Sequence, residues 1–211
     1  MAKLVLLTGL IGSGKSTVAK MLKEKGYVVH DTDSMTKKLY DQYYIKAVVS
    51  NLFGPRAFKE WPEDVPEFSM RNVNFDFIKD AFFDKGYRNE ALKLSSELMQ
   101  RFYFMYDLHR VETDKEFIFV EAAQVYYLPS FVKHYDIDTF VTVECNETDR
   151  YKRLRERGLT NDEIEKRLDM QHETVFIDNS YTIENNGDIA KLEQSVDTLL
   201  ELLKMQNQTN L

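Results

Sequence analysis

Residues 8–18 read Thr8-Gly9-Leu10-Ile11-Gly12-Ser13-Gly14-Lys15-Ser16-Thr17-Val18. Gly9 through Ser16 satisfy the pattern G-x-x-x-x-G-K-[ST] in full. Glycines let the backbone curl so that successive N–H groups point at phosphate oxygens. A helix starting near Lys15 adds its positive end. The Lys15 ammonium reaches phosphates as a mobile charge, and the Ser16 hydroxyl is suited to ligate Mg²⁺. Gly9, Gly12, Ser13, Gly14, Lys15, Ser16 and Thr17 are therefore the expected binding residues for the phosphates of ATP. Context supports this reading over a chance glycine turn. The apolar run Lys3–Thr8 (KLVLLT) precedes the loop and predicts a buried parallel strand. Helix-spaced Val18, Ala19, Met21 and Leu22 follow it, and Gly26 stops that helix. Tyr27–His30 (YVVH) predicts a second strand, completing a βαβ unit.

Further strands are expected at Glu116–Val120, Phe140–Val143 and Tyr181–Glu184. Helices are expected at 34–53, 75–84, 88–112, 148–158, 160–171 and 189–205, with an irregular connection at 55–74 and a disordered tail beyond 205. Thr160 with Glu163 matches a capping box, with Asn161 as an alternative cap. Strands alternating with helices imply an α/β fold, a P-loop kinase sheet of five mostly parallel strands with helices on both faces. The expected organisation is one domain: a core of about 1–35, 115–148 and 178–205, a helical acceptor-binding region of about 36–114, and a lid of about 149–177.

The chain has 211 residues and a net charge of −7, which disfavours sequence-independent binding to duplex DNA. A single cysteine, Cys145, permits no intramolecular disulfide and fits a reducing cytoplasm. No apolar run approaches the ~20 residues of a membrane span, and MAKLVLLTGLIG reads as a strand entering the loop, not a targeting segment.

In open α/β sheets, ligands bind beyond the carboxyl ends of strands. Asp31 and Asp33 fall there after the second strand. Asp33 is the favoured acceptor of a proton from an attacking hydroxyl, and a candidate to hold the water shell of Mg²⁺. The alternative is that it caps a helix starting near Ser34. Glu121 ends the third strand and could serve the metal or lie on the surface. Arg150, Arg153, Arg155 and Arg157 crowd one segment. Arginine's planar fork suits the charge of phosphoryl transfer, and a helical lid would exclude water. Arg153 and Arg157 share a helix face and Arg150 lies near it, whereas Arg155 points elsewhere. The competing account is a solvated face with ion pairs such as Glu147–Arg150.

With those residues in view, the chain resembles the dephospho-CoA kinase family. Members open with a TGGIGSGKSTV-like loop, matched by Thr8–Val18, and follow with D-x-D, matched by Asp31-Thr32-Asp33. The lid pattern R-x-x-x-R then R-x-x-x-Q is matched by Arg153/Arg157 and Arg167/Gln171. A final strand leads into I-D-N-N-G beside the adenine, matched by Ile183-Glu184-Asn185-Asn186-Gly187. The resemblance implies transfer of the γ-phosphate of Mg·ATP to a hydroxyl of a small nucleotide-like acceptor, namely the 3′-hydroxyl of dephospho-CoA. It implies Lys15, Asp33, Arg153 and Arg157 as catalytic residues, Asn185 near the adenine, and Ser16, Asp33 and Glu121 as metal-side residues. The acceptor region departs from the pattern. Residues 75–84 (FDFIKDAFFD) lack the early arginine, 92–102 lack a His-Pro, and Glu121-Ala122-Ala123-Gln124-Val125 replaces P-L-L-x-E. A (deoxy)nucleoside or nucleoside-monophosphate kinase is therefore the first alternative, with Arg71, Arg88, Arg101 and Arg110 available for a phosphate. A non-catalytic nucleotide-binding module is the second alternative, weakened by the absence of a guanine-reading NKxD.

Overall fold

The computed structural model describes residues 2–59, 71–83, 85–122, 128–169 and 180–209. The predicted 55–74 connection lies partly outside them, as do Trp61, Ala123–Val125 and Gln171. Five strands form one sheet: β1 (Lys3–Thr8), β2 (Val28–Asp31), β3 (Phe117–Glu121), β4 (Thr139–Glu144) and β5 (Ser180–Glu184). Their order is β2-β3-β1-β4-β5 and every pairing is parallel. The β1 residues Leu4–Leu7 are wholly buried, as a central strand covered on both faces requires. The helices are α1 (Lys15–Glu24), α2 (Thr32–Leu39), α3 (Tyr43–Phe53), α4 (Phe75–Phe83), α5 (Arg88–Met105), α6 (Leu128–Tyr135), α7 (Glu147–Glu156), α8 (Asn161–Asp169) and α9 (Ile189–Thr209).

The chain divides into two compact units. Residues 1–32 and 108–211 carry the sheet. Val18, Met21 and Leu22 of α1 and Leu192, Val196, Leu199 and Leu203 of α9 cover one sheet face, against Val5, Leu7, Phe119 and Val141. Burying each such aliphatic side chain contributes about 1.5–3 kcal/mol. Residues 33–107 form the second unit. Ile45, Val49 and Phe53 of α3 pair with Ala91, Leu94, Leu98 and Phe102 of α5 as its buried set. The Phe53, Phe77 and Tyr87 rings pack in tilted and edge-on arrangements, and the Arg56 guanidinium lies over Phe77 and Tyr87.

Four elements differ from expectation. The helix read over 34–53 is two helices, because α2 tightens at Tyr40 and Asp41 through i→i+3 bonds to Lys37 and Lys38. Tyr40 is buried there against Phe75, and Gln42 turns extended before α3. The helix read over 88–112 stops at Met105, where Tyr106 adopts extended geometry (φ −120°, ψ 124°). Leu108 is then fully buried and His109 donates to the Tyr135 carbonyl at 2.8 Å, partnerships that a continuing helix would forgo. α6 was not anticipated, since LPSFVKHY carries a proline and only about two turns of pattern. α9 continues to Thr209 through residues read as a disordered tail, with Tyr181 donating to Gln206 at 3.0 Å. Among the described residues, no helix is long and apolar enough to cross a membrane.

Candidate functional site

Glycine geometry shapes the loop between β1 and α1. Gly14 holds φ +101° and takes the N-cap position of α1 without a side-chain cap, so the first helical N–H groups are left for an anion. A Cβ on Gly14 would stand 2.1 Å from Asn185 Nδ2, and one on Gly12 would stand 2.9 Å from both Arg150 Cγ and Leu154 Cγ. Both glycines are thus demanded twice, by positive φ and by close approach. Ser13 donates its N–H to Leu10 O at 3.1 Å, and Thr17 donates to Gly14 O at 3.0 Å. The Ser13 hydroxyl oxygen is buried and has no hydrogen-bond partner among the described residues. Lys15 is buried, with Nζ donating to Gly9 O at 2.7 Å and Leu10 O at 3.2 Å. This short tether leaves the ammonium a small swing from a phosphate in the loop. An uncapped helix start, an unpaired buried hydroxyl and a tethered cation fit a phosphate chain.

The strand ends bring carboxylates beside the loop. Ser16 Oγ donates to Glu121 Oε1 at 2.8 Å. Asp31 and Leu7 both pair with Glu121 in register, so Asp31 and Glu121 share a sheet face at the carboxyl edge. Thr32 Oγ1 donates to the Glu121 carbonyl at 2.9 Å. One hydroxyl with one or two carboxylates is the donor set that Mg²⁺ uses when phosphates and water complete its octahedron. Among the described residues, no three His, Cys, Asp or Glu side chains cluster as a metal cage. Asp33 lies in the first turn of α2, which begins at Thr32 and not near Ser34. Asp33 thus sits inside the helix, where a carboxylate is favoured by the dipole.

The arginine segment forms α7, capped by the Asn146 side chain, which accepts the Asp149 N–H at 2.8 Å. Arg153 Nη1 donates to Ser13 O at 3.3 Å and Gly12 O at 3.5 Å. Its Nη2 donates to Asn185 O at 3.0 Å and Asn185 Oδ1 at 3.4 Å. Asn185 is buried, its Nδ2 donating to Ser13 O at 2.8 Å and its N–H to Glu144 O at 2.7 Å. Arg157 is the C-cap of α7 and is exposed. Arg150 donates to the Cys145 carbonyl at 3.2 Å, while Arg155 points to Asn161 Oδ1 at 3.0 Å and to the Tyr151 ring. Thr160 and Glu163 form the reciprocal capping box of α8. Leu154, Ile164 and Leu168 make a small core that also takes in Leu10, Ile11, Tyr151 and Leu159, so the α7–α8 pair grips the loop itself.

In the second unit, Arg71 is buried and Arg101 donates to Gln42 Oε1 at 2.5 Å with its guanidinium over Phe104. Sequence reasoning did not find the tie between Ser16 and Glu121, the level pairing of Asp31 with Glu121, or the junction of Arg153, Asn185 and Ser13. The positions were marked, but strand register and a contact spanning 172 residues are tertiary facts.

Residues 3–61 match the family model described as dephospho-CoA kinase. A dephospho-CoA kinase of Chlorobaculum tepidum is 27% identical over 204 residues, covering 95% of this chain and 94% of its own length. One of Corynebacterium efficiens is 29% identical, covering 92% and 94%. Among solved structures, a Thermus thermophilus protein superposes with TM-score 0.68 at 23% identity, covering 96% of this chain and 98% of its own. A dephospho-CoA kinase from Campylobacter jejuni superposes with TM-score 0.57 at 12% identity, covering 98% and 100%. The two superpositions speak for the fold, and the sequence matches extend along nearly the whole chain. The chain is thus similar to dephospho-CoA kinases along nearly its whole length.

Proposed function

We propose that this protein transfers the γ-phosphate of ATP to the 3′-hydroxyl of dephospho-CoA, giving CoA and ADP. The observation that carries the reading is the loop geometry: a buried Lys15 tethered 2.7 Å from Gly9 O, beside a Ser16 hydroxyl held 2.8 Å from Glu121. In this reading Gly9 to Thr17 hold the phosphates, and Lys15 exchanges its carbonyl partners for phosphate oxygens. Magnesium, when bound, neutralises phosphate charge; Ser16 would hold it, with Glu121 and Asp33 reaching it through water. Asp33 accepts the proton of the attacking hydroxyl. Arg157, exposed at the end of α7, is the lid cation free to meet the transferred phosphoryl group. Asn185 borders the adenine, and residues 33–107 take the acceptor. A reducing cytoplasmic setting fits the lone Cys145.

A second reading, a nucleoside or nucleotide acceptor, draws on the second unit: FDFIKDAFF in α4 carries no arginine, and Arg101 is tied to Gln42. The test is ADP release from Mg·ATP by purified protein against dephospho-CoA, the common nucleosides and the deoxynucleoside monophosphates. Turnover with dephospho-CoA alone is expected. Turnover with a nucleoside or nucleotide and none with dephospho-CoA would replace the first reading with the second.

A further inference from the structure

A loop that cradles phosphate turns its N–H groups toward the anion, which forces the partner carbonyls of the same peptides to point away. Each buried carbonyl then needs a donor of its own. Arg153 and Asn185 are such donors, alongside Cys145 Sγ, which donates to the Gly12 carbonyl at 3.7 Å. The Ser13 carbonyl accepts from Asn185 Nδ2 at 2.8 Å and from Arg153 Nη1 at 3.3 Å, and the Gly12 carbonyl is 3.5 Å from the same Nη1. Arg153 Nη2 grips Asn185 at its carbonyl and side-chain oxygens, and the Asn185 N–H is anchored on β4 at Glu144 O. Asn185 is buried at 7% exposure and Ser13 at 1%. The Asn185–Gly14 approach is so close that only glycine fits at position 14.

We propose that Arg153 is a positioning residue that orients the loop peptides at Gly12 and Ser13 through Asn185, and that it serves nucleotide affinity instead of touching the transferred phosphate. This rests on the kinase reading only for its nucleotide. A guanidinium has five donors and no acceptor, in one rigid plane. Here both Nη groups are spent on protein carbonyl oxygens, which fixes the fork before any phosphate arrives. Lysine, a point charge without the fork, cannot bridge two chain segments in this way. Because the oriented N–H groups meet ground state and transition state alike, losing them weakens binding without slowing the chemical step at saturation.

The test is calorimetric binding of Mg·ADP, with no acceptor present, alongside turnover at saturating ATP. Arg153→Ala and Arg153→Lys are each expected to weaken ADP binding about 10- to 100-fold, with kcat within about threefold of wild type. The Arg153→Ala, Asn185→Ala double variant is expected to bind no more weakly than the poorer single variant, because the two act as one unit. Arg155→Ala, on the exposed side of the same helix, should leave ADP binding unchanged. Unaltered ADP affinity with kcat down 100-fold or more would overturn the proposal in favour of direct phosphate contact. Full rescue by lysine, or additive single effects, would overturn it as well. If Arg153→Ala does not fold, Arg153→Lys carries the comparison. A wild-type protein that binds no ADP would instead refute the kinase reading, so the two failures are distinguishable.

Discussion

Single residues carry the chemistry, and their neighbours dictate what each can do. Lys15 is held by two backbone carbonyls of the loop, which position its charge. Lys15→Ala is expected to lower turnover by at least about 100-fold while the thermal unfolding midpoint stays close to wild type; undiminished turnover would sink the mechanism. Asp33 offers a sharper division. It lies in the first turn of α2, and Asp33→Asn keeps the shape and removes the proposed proton acceptor. Turnover should fall far more than ATP affinity, read as kcat against the nucleotide Kd. Equal loss in both would place Asp33 on the metal side. The Gly14 constraint was readable from the motif alone, as a loop glycine; the reason an alanine fails, a 2.1 Å collision with Asn185, was not.

Elements set which of those residues move together. The α7–α8 pair owns a small core centred on Leu154, which is fully buried, and that core reaches Leu10 and Ile11 of the phosphate loop. Leu154→Ala should cost about 2–5 kcal/mol locally, seen as faster amide exchange in both helices and in residues 10–14, with weaker ADP binding. Exchange confined to α7 and α8 would show that the pair and the loop are not coupled. β2 supplies a pH probe. His30, half-buried with Nε2 donating to Leu108 O at 3.2 Å, has its pKa lowered chiefly by burial, with the carbonyl bond partly opposing. The unfolded chain therefore takes up a proton first as pH falls below about 6.5. Stability from neutral His30 is full above that pH and is lost as pH drops toward the depressed native value. The urea midpoint should decline between pH 7.5 and 5, and decline less in His30→Gln; an equal decline would remove His30 as the cause.

At the scale of the whole molecule, the sheet unit holds the phosphate loop and residues 33–107 form a separate compact unit rich in aromatic contacts. If that second unit takes the acceptor, dephospho-CoA should slow amide exchange within 33–107, whereas Mg·ADP at 100 times its Kd should stabilise the sheet unit by about 2.7 kcal/mol. Acceptor protection restricted to the sheet unit would relocate the acceptor site. The α/β class, the parallel strands and the nucleotide loop were legible in the sequence because each rests on local signals: an unbroken apolar strand, glycines at set spacing, and helical periodicity. The break at Tyr40, the end of α5 at Met105 and the helix α6 were not legible, because burial of Tyr40 and Leu108 overrode local propensity and α6 is too short for a clear period. The loop, its lysine and serine, and the motif pattern can be read from the chain alone, since these are contiguous or follow chain order. That Ser16 meets Glu121, that Asp31 lies level with it, and that Arg153 spends its fork on Ser13 and Asn185 emerges from the folded arrangement. Those partners are set by strand register and by buried carbonyls that must find donors, and neither is written in any one stretch of the chain.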